Sequence, residues 1–205
     1  YDNDAGPNTG GMGSYSPPQF WTEELSEEIR TNIMIPTIKA LDSEGCKYKG
    51  ILYGGIILTD SGPQVLEFNC RLGDPETQVV LPLLISDMPQ ILSAIVEENI
   101  NRAEIRWSKE SCVGIVMTSN GYPGKYNTGY KIIGLENLSK EEIIFHGGTK
   151  KFSISNQDLF TNGGRVLTVV GKAESMELAR VRAYTNVANI EFEGASYRSD
   201  IALNI

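Results

Sequence analysis

The residues best suited to chemistry lie in one run, Leu66-Glu67-Phe68-Asn69-Cys70-Arg71-Leu72-Gly73-Asp74-Pro75-Glu76-Thr77-Gln78. In an extended strand, side chains two apart share a face, so Val65, Glu67 and Asn69 point one way and Leu66, Phe68 and Cys70 the other. An acid beside an amide offers hard oxygen ligands that suit Mg²⁺, above all when phosphate oxygens complete an octahedron. The same spacing equally describes a solvated sheet face, with the apolar set turned into a core. Arg71 could offset charge on a phosphoryl or acyl phosphate oxygen, or pair at the surface with Asp74 or Glu76.

Four glycines (6, 10, 11 and 13) crowd the start of the chain, where Gly6-Pro7-Asn8-Thr9-Gly10-Gly11-Met12-Gly13 offers backbone N–H groups beside Asn and Thr side chains. That composition suits a loop wrapped around an anionic substrate, or an ordinary turn. It lacks the lysine of a P-loop and the strand and helix context of a dinucleotide fingerprint. Gly163-Gly164-Arg165 could bind phosphate, though a turn into the next strand is the default. Gly54 and Gly55 inside a strand mark a bulge or the close approach of a ligand or backbone. The only histidine, His146, reads as structural, and no Ser-His-Asp arrangement is evident.

These groups need a folded scaffold, and 205 residues with 40% hydrophobic and 21% charged content provide one. A net charge of -8 argues against nucleic acid as a partner and for small ligands. Three scattered cysteines without a CxxC suggest neither a disulfide framework nor a zinc knuckle, and point to a reducing, cytoplasmic setting. No apolar run reaches the roughly 18 residues of a membrane span, so no membrane partner is expected. The opening at Tyr1 on a motif-like segment suggests that the sequence begins within a longer protein.

A helix is expected from Thr22, as N-cap, to Gly45, kinked or split at Pro36. Residues 51–59 and 64–70 flank the turn cluster Asp60-Ser61-Gly62-Pro63 and read as a β-hairpin. Residues 79–99 are helical, with a break at Ser86-Asp87-Met88-Pro89 where Asp87 would cap. Polarity rises over 102–109, which divides the chain into 1–108 and 109–205. The second part alternates strands (112–118, 131–134, 143–146, 152–155, 165–170) with a short helix opened by Ser139-Lys140-Glu141-Glu142. A final helix over about 175–190 would present Leu178, Val181, Val187 and Ile190 on one side.

Taken together, the glycine-rich opening and the 66–78 run closely resemble the glycinamide ribonucleotide synthetases, the phosphoribosylamine-glycine ligases of the ATP-grasp superfamily. Gly121-Tyr122-Pro123-Gly124-Lys125-Tyr126, His146-Gly147-Gly148-Thr149, Gly163-Gly164-Arg165-Val166-Leu167 and Gly194-Ala195-Ser196-Tyr197-Arg198-Ser199-Asp200-Ile201 resemble the C-terminal domain of the same family. The resemblance implies an α+β fold: the C-terminal lobe of an ATP-grasp domain, an antiparallel sheet with helices over 1–108, then a small α+β C-terminal domain over 109–205. It implies ATP-dependent ligation of glycine to 5-phosphoribosylamine through glycyl phosphate, with Mg²⁺ or Mn²⁺ as cofactor. By motif match Glu67 and Asn69 become metal ligands and Arg71 a catalytic charge stabiliser. Asn8, Thr9, Gly10, Gly11 and Asp74 become substrate-side residues.

Leu72 stands where the family usually has Phe, and residues 51–59 carry no acid to complete the metal shell. The first ATP-grasp lobe is not represented, so the N-terminal half of the enzyme is an expected partner and the glycine-rich loop is expected to be mobile without it. The competing readings are a non-catalytic nucleotide- or phosphate-binding module and another ATP-grasp carboxylate-amine ligase of purine synthesis.

Overall fold

The structure, a computed structural model, describes residues 1–152 and 158–203. In chain order its elements are β1 (Gly13–Ser16), α1 (Glu23–Ile29), α2 (Ile35–Ser43), β2 (Tyr53–Thr59), β3 (Gly62–Asn69), α3 (Thr77–Val80) and α4 (Met88–Val96). There follow β4 (Ser111–Thr118), β5 (Lys131–Ile132), β6 (Ile143–His146), β7 (Thr149–Lys150), β8 (Leu159–Thr161), β9 (Arg165–Ala173) and α5 (Met176–Val187). The mixture is α+β with antiparallel sheets.

Two compact units share the chain. Tyr1–Pro17, Asp74–Leu83 and Ser108 onward form one, while Pro18–Gly73 and Leu84–Trp107 form the other. The compositional change near 108 falls where the chain returns to the first unit, and that unit also takes in the opening segment and residues 74–83.

The first unit is built on an antiparallel sheet of order β1-β4-β9-β6. β4 is central, and Cys112, Val113, Ile115, Val116 and Met117 are each at most 1% exposed, as expected of a strand covered on both faces. On one face Val113, Ile115, Met117 and Val169 pack with Ala179, Ala183 and Val187 of α5. On the other, Cys112 and Val170 pack with Val79 of α3 and Leu83. β5, β8 and β7 form a separate three-stranded sheet.

Several expectations need correction here. Residues 13–16, read as loop, pair with β4 as β1, because four residues of Gly and Ser around one Tyr carry no strand signal without their partner. Ser139–Glu142 forms a single turn rather than a helix, and the Glu142 side chain is taken up by Arg182. In α5 the buried face is Ala179, Ala183 and Val187, whereas Leu178 and Val181 are 46% and 55% exposed. The helix lies so close to β9 that a Cβ on Gly171 would sit 2.0 Å from the Ala179 carbonyl oxygen, and only small residues fit that seam. The strand expected over 152–155 lies outside the described residues from position 153.

In the second unit Thr22 caps α1, its hydroxyl accepting from the Leu25 N–H at 3.1 Å. The helical path continues through a π turn at Arg30–Met34 into α2, which carries Pro36 in its first turn. Proline has no N–H to donate, and the regular ladder is interrupted just before it. β2 and β3 form the expected antiparallel hairpin, with Tyr53 opposite Asn69 and Gly55 opposite Glu67. The register shifts after Gly55, leaving Leu66 as the extra residue of a bulge. That bulge breaks the alternation behind the expected apolar face: Leu66 and Phe68 are 68% and 38% exposed, and Cys70 is exposed too. Asp87 does precede α4, but its carboxylate accepts from the Gln90 side chain instead of capping the backbone.

Candidate functional site

β3 and its exit carry the first group of residues. Asn69 Nδ2 donates to Glu67 Oε1 at 2.8 Å, and Arg71 Nη2 donates to Asn69 Oδ1 at 3.3 Å. Arg71 Nη1 donates to the Leu72 carbonyl at 2.8 Å. A carboxylate, an amide oxygen and a guanidinium therefore stand in a row at the open end of the hairpin. Across the ladder, Gly55 leaves the space beside Glu67 clear, since a Cβ there would lie 3.2 Å from Glu67 Cγ. Of the alternatives set for the glycine pair, the bulge is present, directly after Gly55.

The donor set suits a hard divalent cation in part. Glu67 and Asn69 supply two adjacent oxygens, and among the described residues the Asn69 oxygen is engaged by the long bond from Arg71. Among the described residues no group of three or more His, Cys, Asp or Glu side chains could hold a metal alone. The pair would thus act with ligands from elsewhere, as phosphate oxygens would provide.

The second group belongs to the first unit and centres on Asp74. Its carboxylate accepts from Arg165 Nη2 at 2.6 Å and from Gln78 Nε2 at 2.8 Å. Asp74 is therefore ion-paired with Arg165, while Arg71 spends its recorded bonds on its own neighbours. Arg165 Nη1 also donates to the carbonyls of Gly10 at 2.8 Å and Asp74 at 3.1 Å. Neither reading of Gly163-Gly164-Arg165, phosphate binder or plain turn, anticipated this contact.

The glycine-rich loop is hydrogen-bonded within the first unit. Gly10 N–H donates to the Tyr122 hydroxyl at 2.9 Å, and Gly11 N–H to Thr9 Oγ1 at 3.1 Å. Gly11 has φ of +105° and lies against Pro75, where a Cβ would come within 2.4 Å of the ring. Asn8, Thr9 and Gly11 line a cavity of about 340 Å³ that Arg198 also reaches. Arg198 binds Asp200 through Nε and Nη2, each at 2.7 Å, and Asp4 at 2.8 Å. Its guanidinium holds the Asp200 carboxyl well below the usual carboxylate range. Asp2 in turn accepts from the N–H and hydroxyl of Ser199.

The structure thus groups Glu67, Asn69 and Arg71 in one unit and Gly10, Gly11 and Asp74 in the other. Sequence reasoning missed Tyr122, Arg198 and Asp200 as individual contributors, and weighed Arg165 for phosphate without its contacts to Gly10 and Asp74. They lie in segments that carried the family resemblance, and that was the available signal. The His146 Nδ1 lies 3.1 Å from Thr149 Oγ1.

Comparison with known proteins matches residues 1–77 to the phosphoribosylglycinamide synthetase ATP-grasp (A) domain and residues 112–204 to the C domain of the same enzyme. The chain is 44% identical over 202 residues to a phosphoribosylamine--glycine ligase of Halalkalibacterium halodurans, covering 98% of this chain and 46% of that one. It is also 44% identical over 202 residues to the trifunctional purine biosynthetic protein adenosine-3 of Gallus gallus, covering 98% of this chain and 20% of the relative. The crystal structure of phosphoribosylamine--glycine ligase from Thermotoga maritima superposes with a TM-score of 0.78 at 36% identity, over 98% of this chain and 48% of that one. The chain spans about half the length of the bacterial ligases it matches.

Proposed function

Because this chain belongs to the phosphoribosylglycinamide synthetase family, we propose that it is the metal-bearing and C-terminal part of a ligase joining glycine to 5-phosphoribosylamine. On this reading residues 1–108 supply the second lobe of the ATP-grasp domain and 109–205 the C-terminal domain. The remaining half of the enzyme, bearing the first lobe, is its partner in a cytoplasmic protein. Among the described residues no helix is long and apolar enough to cross a membrane.

The chemistry sets the demands on the site. A carboxylate is a poor electrophile, so a glycine oxygen attacks the γ-phosphorus of ATP, ADP leaves, and glycyl phosphate forms. The amine of 5-phosphoribosylamine then attacks the acyl carbon, phosphate leaves, and the nitrogen loses a proton to give glycinamide ribonucleotide. Glu67 and Asn69 would hold Mg²⁺ or Mn²⁺, which would offset the charge of the transferring phosphoryl group. Arg71 stabilises charge on the same oxygens: a guanidinium has five N–H donors, and the two bonds it makes to Asn69 and Leu72 leave donors for an oxyanion. Asn8, Thr9, Gly10, Gly11 and Asp74 serve the glycine and ribosyl phosphate side, where closure must exclude water because an acyl phosphate hydrolyses.

The observation that carries the reading is the row Glu67, Asn69 and Arg71 at the end of β3, inside a chain matched to both family domains. The test is ADP release with Mg²⁺-ATP, glycine and 5-phosphoribosylamine, using this chain alone and the intact protein. ADP formed by the intact protein only when both glycine and the amine are present is the expected result. Silence from the intact protein would favour a non-catalytic binding module, and turnover with another carboxylate would favour a different ATP-grasp ligase of purine synthesis.

A further inference from the structure

We propose that Arg165 is a positioning residue that holds the glycine-rich loop and the Asp74 carboxylate as one unit facing the amine-bearing substrates, an inference that rests on the ligase reading above. Its guanidinium spans three acceptors from two segments distant in sequence: the Gly10 carbonyl at 2.8 Å, the Asp74 carbonyl at 3.1 Å and Asp74 Oδ2 at 2.6 Å. A planar fork of fixed donors can satisfy all three together, whereas an ammonium is a point charge on a flexible stem. Gly10 is held at its other polar group too, because its N–H donates to the Tyr122 hydroxyl. Gly11 completes the seat, lying on Pro75 where any Cβ would clash, and Ser14 Oγ donates to the Pro75 carbonyl at 2.8 Å.

The cluster also holds a buried acceptor left unpaired among the described residues. Gln78 Nε2 holds the second Asp74 oxygen, and Gln78 Oε1 is buried with no hydrogen-bond partner among the described residues. A buried carbonyl oxygen without a donor is costly, and the group that meets it must bring an N–H or O–H. Glycine and 5-phosphoribosylamine both carry N–H donors next to their reacting atoms. Since the functional reading places Asp74 and the loop on the glycine and 5-phosphoribosylamine side, Arg165 acts through them on those substrates rather than on ATP.

Arg165→Lys keeps the charge and removes the fork, so it is the informative variant, with Tyr122→Phe as a milder second one that releases only the Gly10 N–H. In the intact protein without substrates, Arg165→Lys is expected to speed hydrogen exchange at Gly10 and Gly11 by about tenfold, and Tyr122→Phe to speed it at Gly10. In steady-state kinetics Arg165→Lys should raise KM for glycine or 5-phosphoribosylamine by about tenfold or more with KM for ATP within about twofold. Unchanged exchange in both variants would overturn the proposal. So would a rise in KM for ATP equal to that for the amine-bearing substrates, or a fall in kcat alone. If Arg165→Lys fails to fold, the exchange and KM pattern of Tyr122→Phe decides in the same way. If the intact wild-type protein shows no ligase activity, the functional reading fails, and the exchange result alone sustains or overturns the hold of Arg165 on the loop.

Discussion

Gly55 faces Glu67 across the β2–β3 ladder, and the missing side chain at position 55 is what leaves the Glu67 stem unobstructed, with 3.2 Å between Glu67 Cγ and the place a Cβ would occupy. Gly55→Val is expected to displace the carboxylate while leaving the hairpin formed. The readout is ADP formation by the intact protein against Mg²⁺ concentration, where the half-saturating value should rise by about tenfold. Gly55→Ala should fall between wild type and Val.

Removing the charges themselves should be more severe. Glu67→Gln and Arg71→Ala are each expected to lower kcat by about 10²- to 10³-fold, the scale of losing one oxyanion-stabilising group. Both side chains are exposed, so the urea midpoint should stay near that of wild type. A variant within a few-fold of wild-type activity would remove that residue from the proposed chemistry.

The seam between β9 and α5 makes a stability prediction far from the site. A Cβ on Gly171 would lie 2.0 Å from the Ala179 carbonyl oxygen and 2.5 Å from the Ala183 nitrogen, and backbone cannot step aside as a side chain can. Gly171→Ala is expected to cost about 3 kcal/mol in urea unfolding at unchanged m-value.

Glu142 makes a pH prediction. Arg182 donates to it from Nε and Nη2, each at 3.1 Å, and Asn186 donates as well. The Arg182 guanidinium holds the carboxyl below its ordinary value of 4.5. A depressed folded-state value adds stability that is present above the unfolded-state value and lost as pH falls through the folded-state one. The urea-midpoint advantage of wild type over Glu142→Gln should therefore be largest above about pH 5 and shrink as the solution is acidified below 4.5.

The cysteines should separate by reactivity. Cys46 and Cys70 are exposed, whereas Cys112 is buried in β4 and burial pushes its thiol up to about 11. Iodoacetamide at pH about 8 should label Cys46 and Cys70 in the native protein and Cys112 only after denaturation, as peptide mass mapping would show.

How much of this was legible in the sequence follows from the range of the interactions. The β2–β3 hairpin is written in adjacent residues, two β-rich runs around Asp60-Ser61-Gly62-Pro63, and the helix start at Thr22 and its interruption near Pro36 are equally local. Glu67, Asn69 and Arg71 could be grouped beforehand for the same reason, since alternation along one strand and its exit brings them together. The Leu66 bulge was not legible, because it depends on how the two strands register. β1 exists only through its pairing with β4 about a hundred residues away, a contact that a Gly-Ser-Tyr-Ser run does not announce. The buried face of α5 is set by the shape of β9 at Gly171, so the larger residues Leu178 and Val181 turn outward against their hydrophobicity.

The sequence by itself therefore determined the β2–β3 hairpin, the helix start at Thr22, the grouping of Glu67, Asn69 and Arg71, and the family, since each is encoded in short ordered runs of residues. The tertiary structure alone decided that Arg165 and Tyr122 grip Gly10 and that Arg165 holds Asp74. A guanidinium selects its acceptors by three-dimensional distance and angle, and those are fixed only once β4 and β9 have paired and brought remote segments to the same end of the sheet.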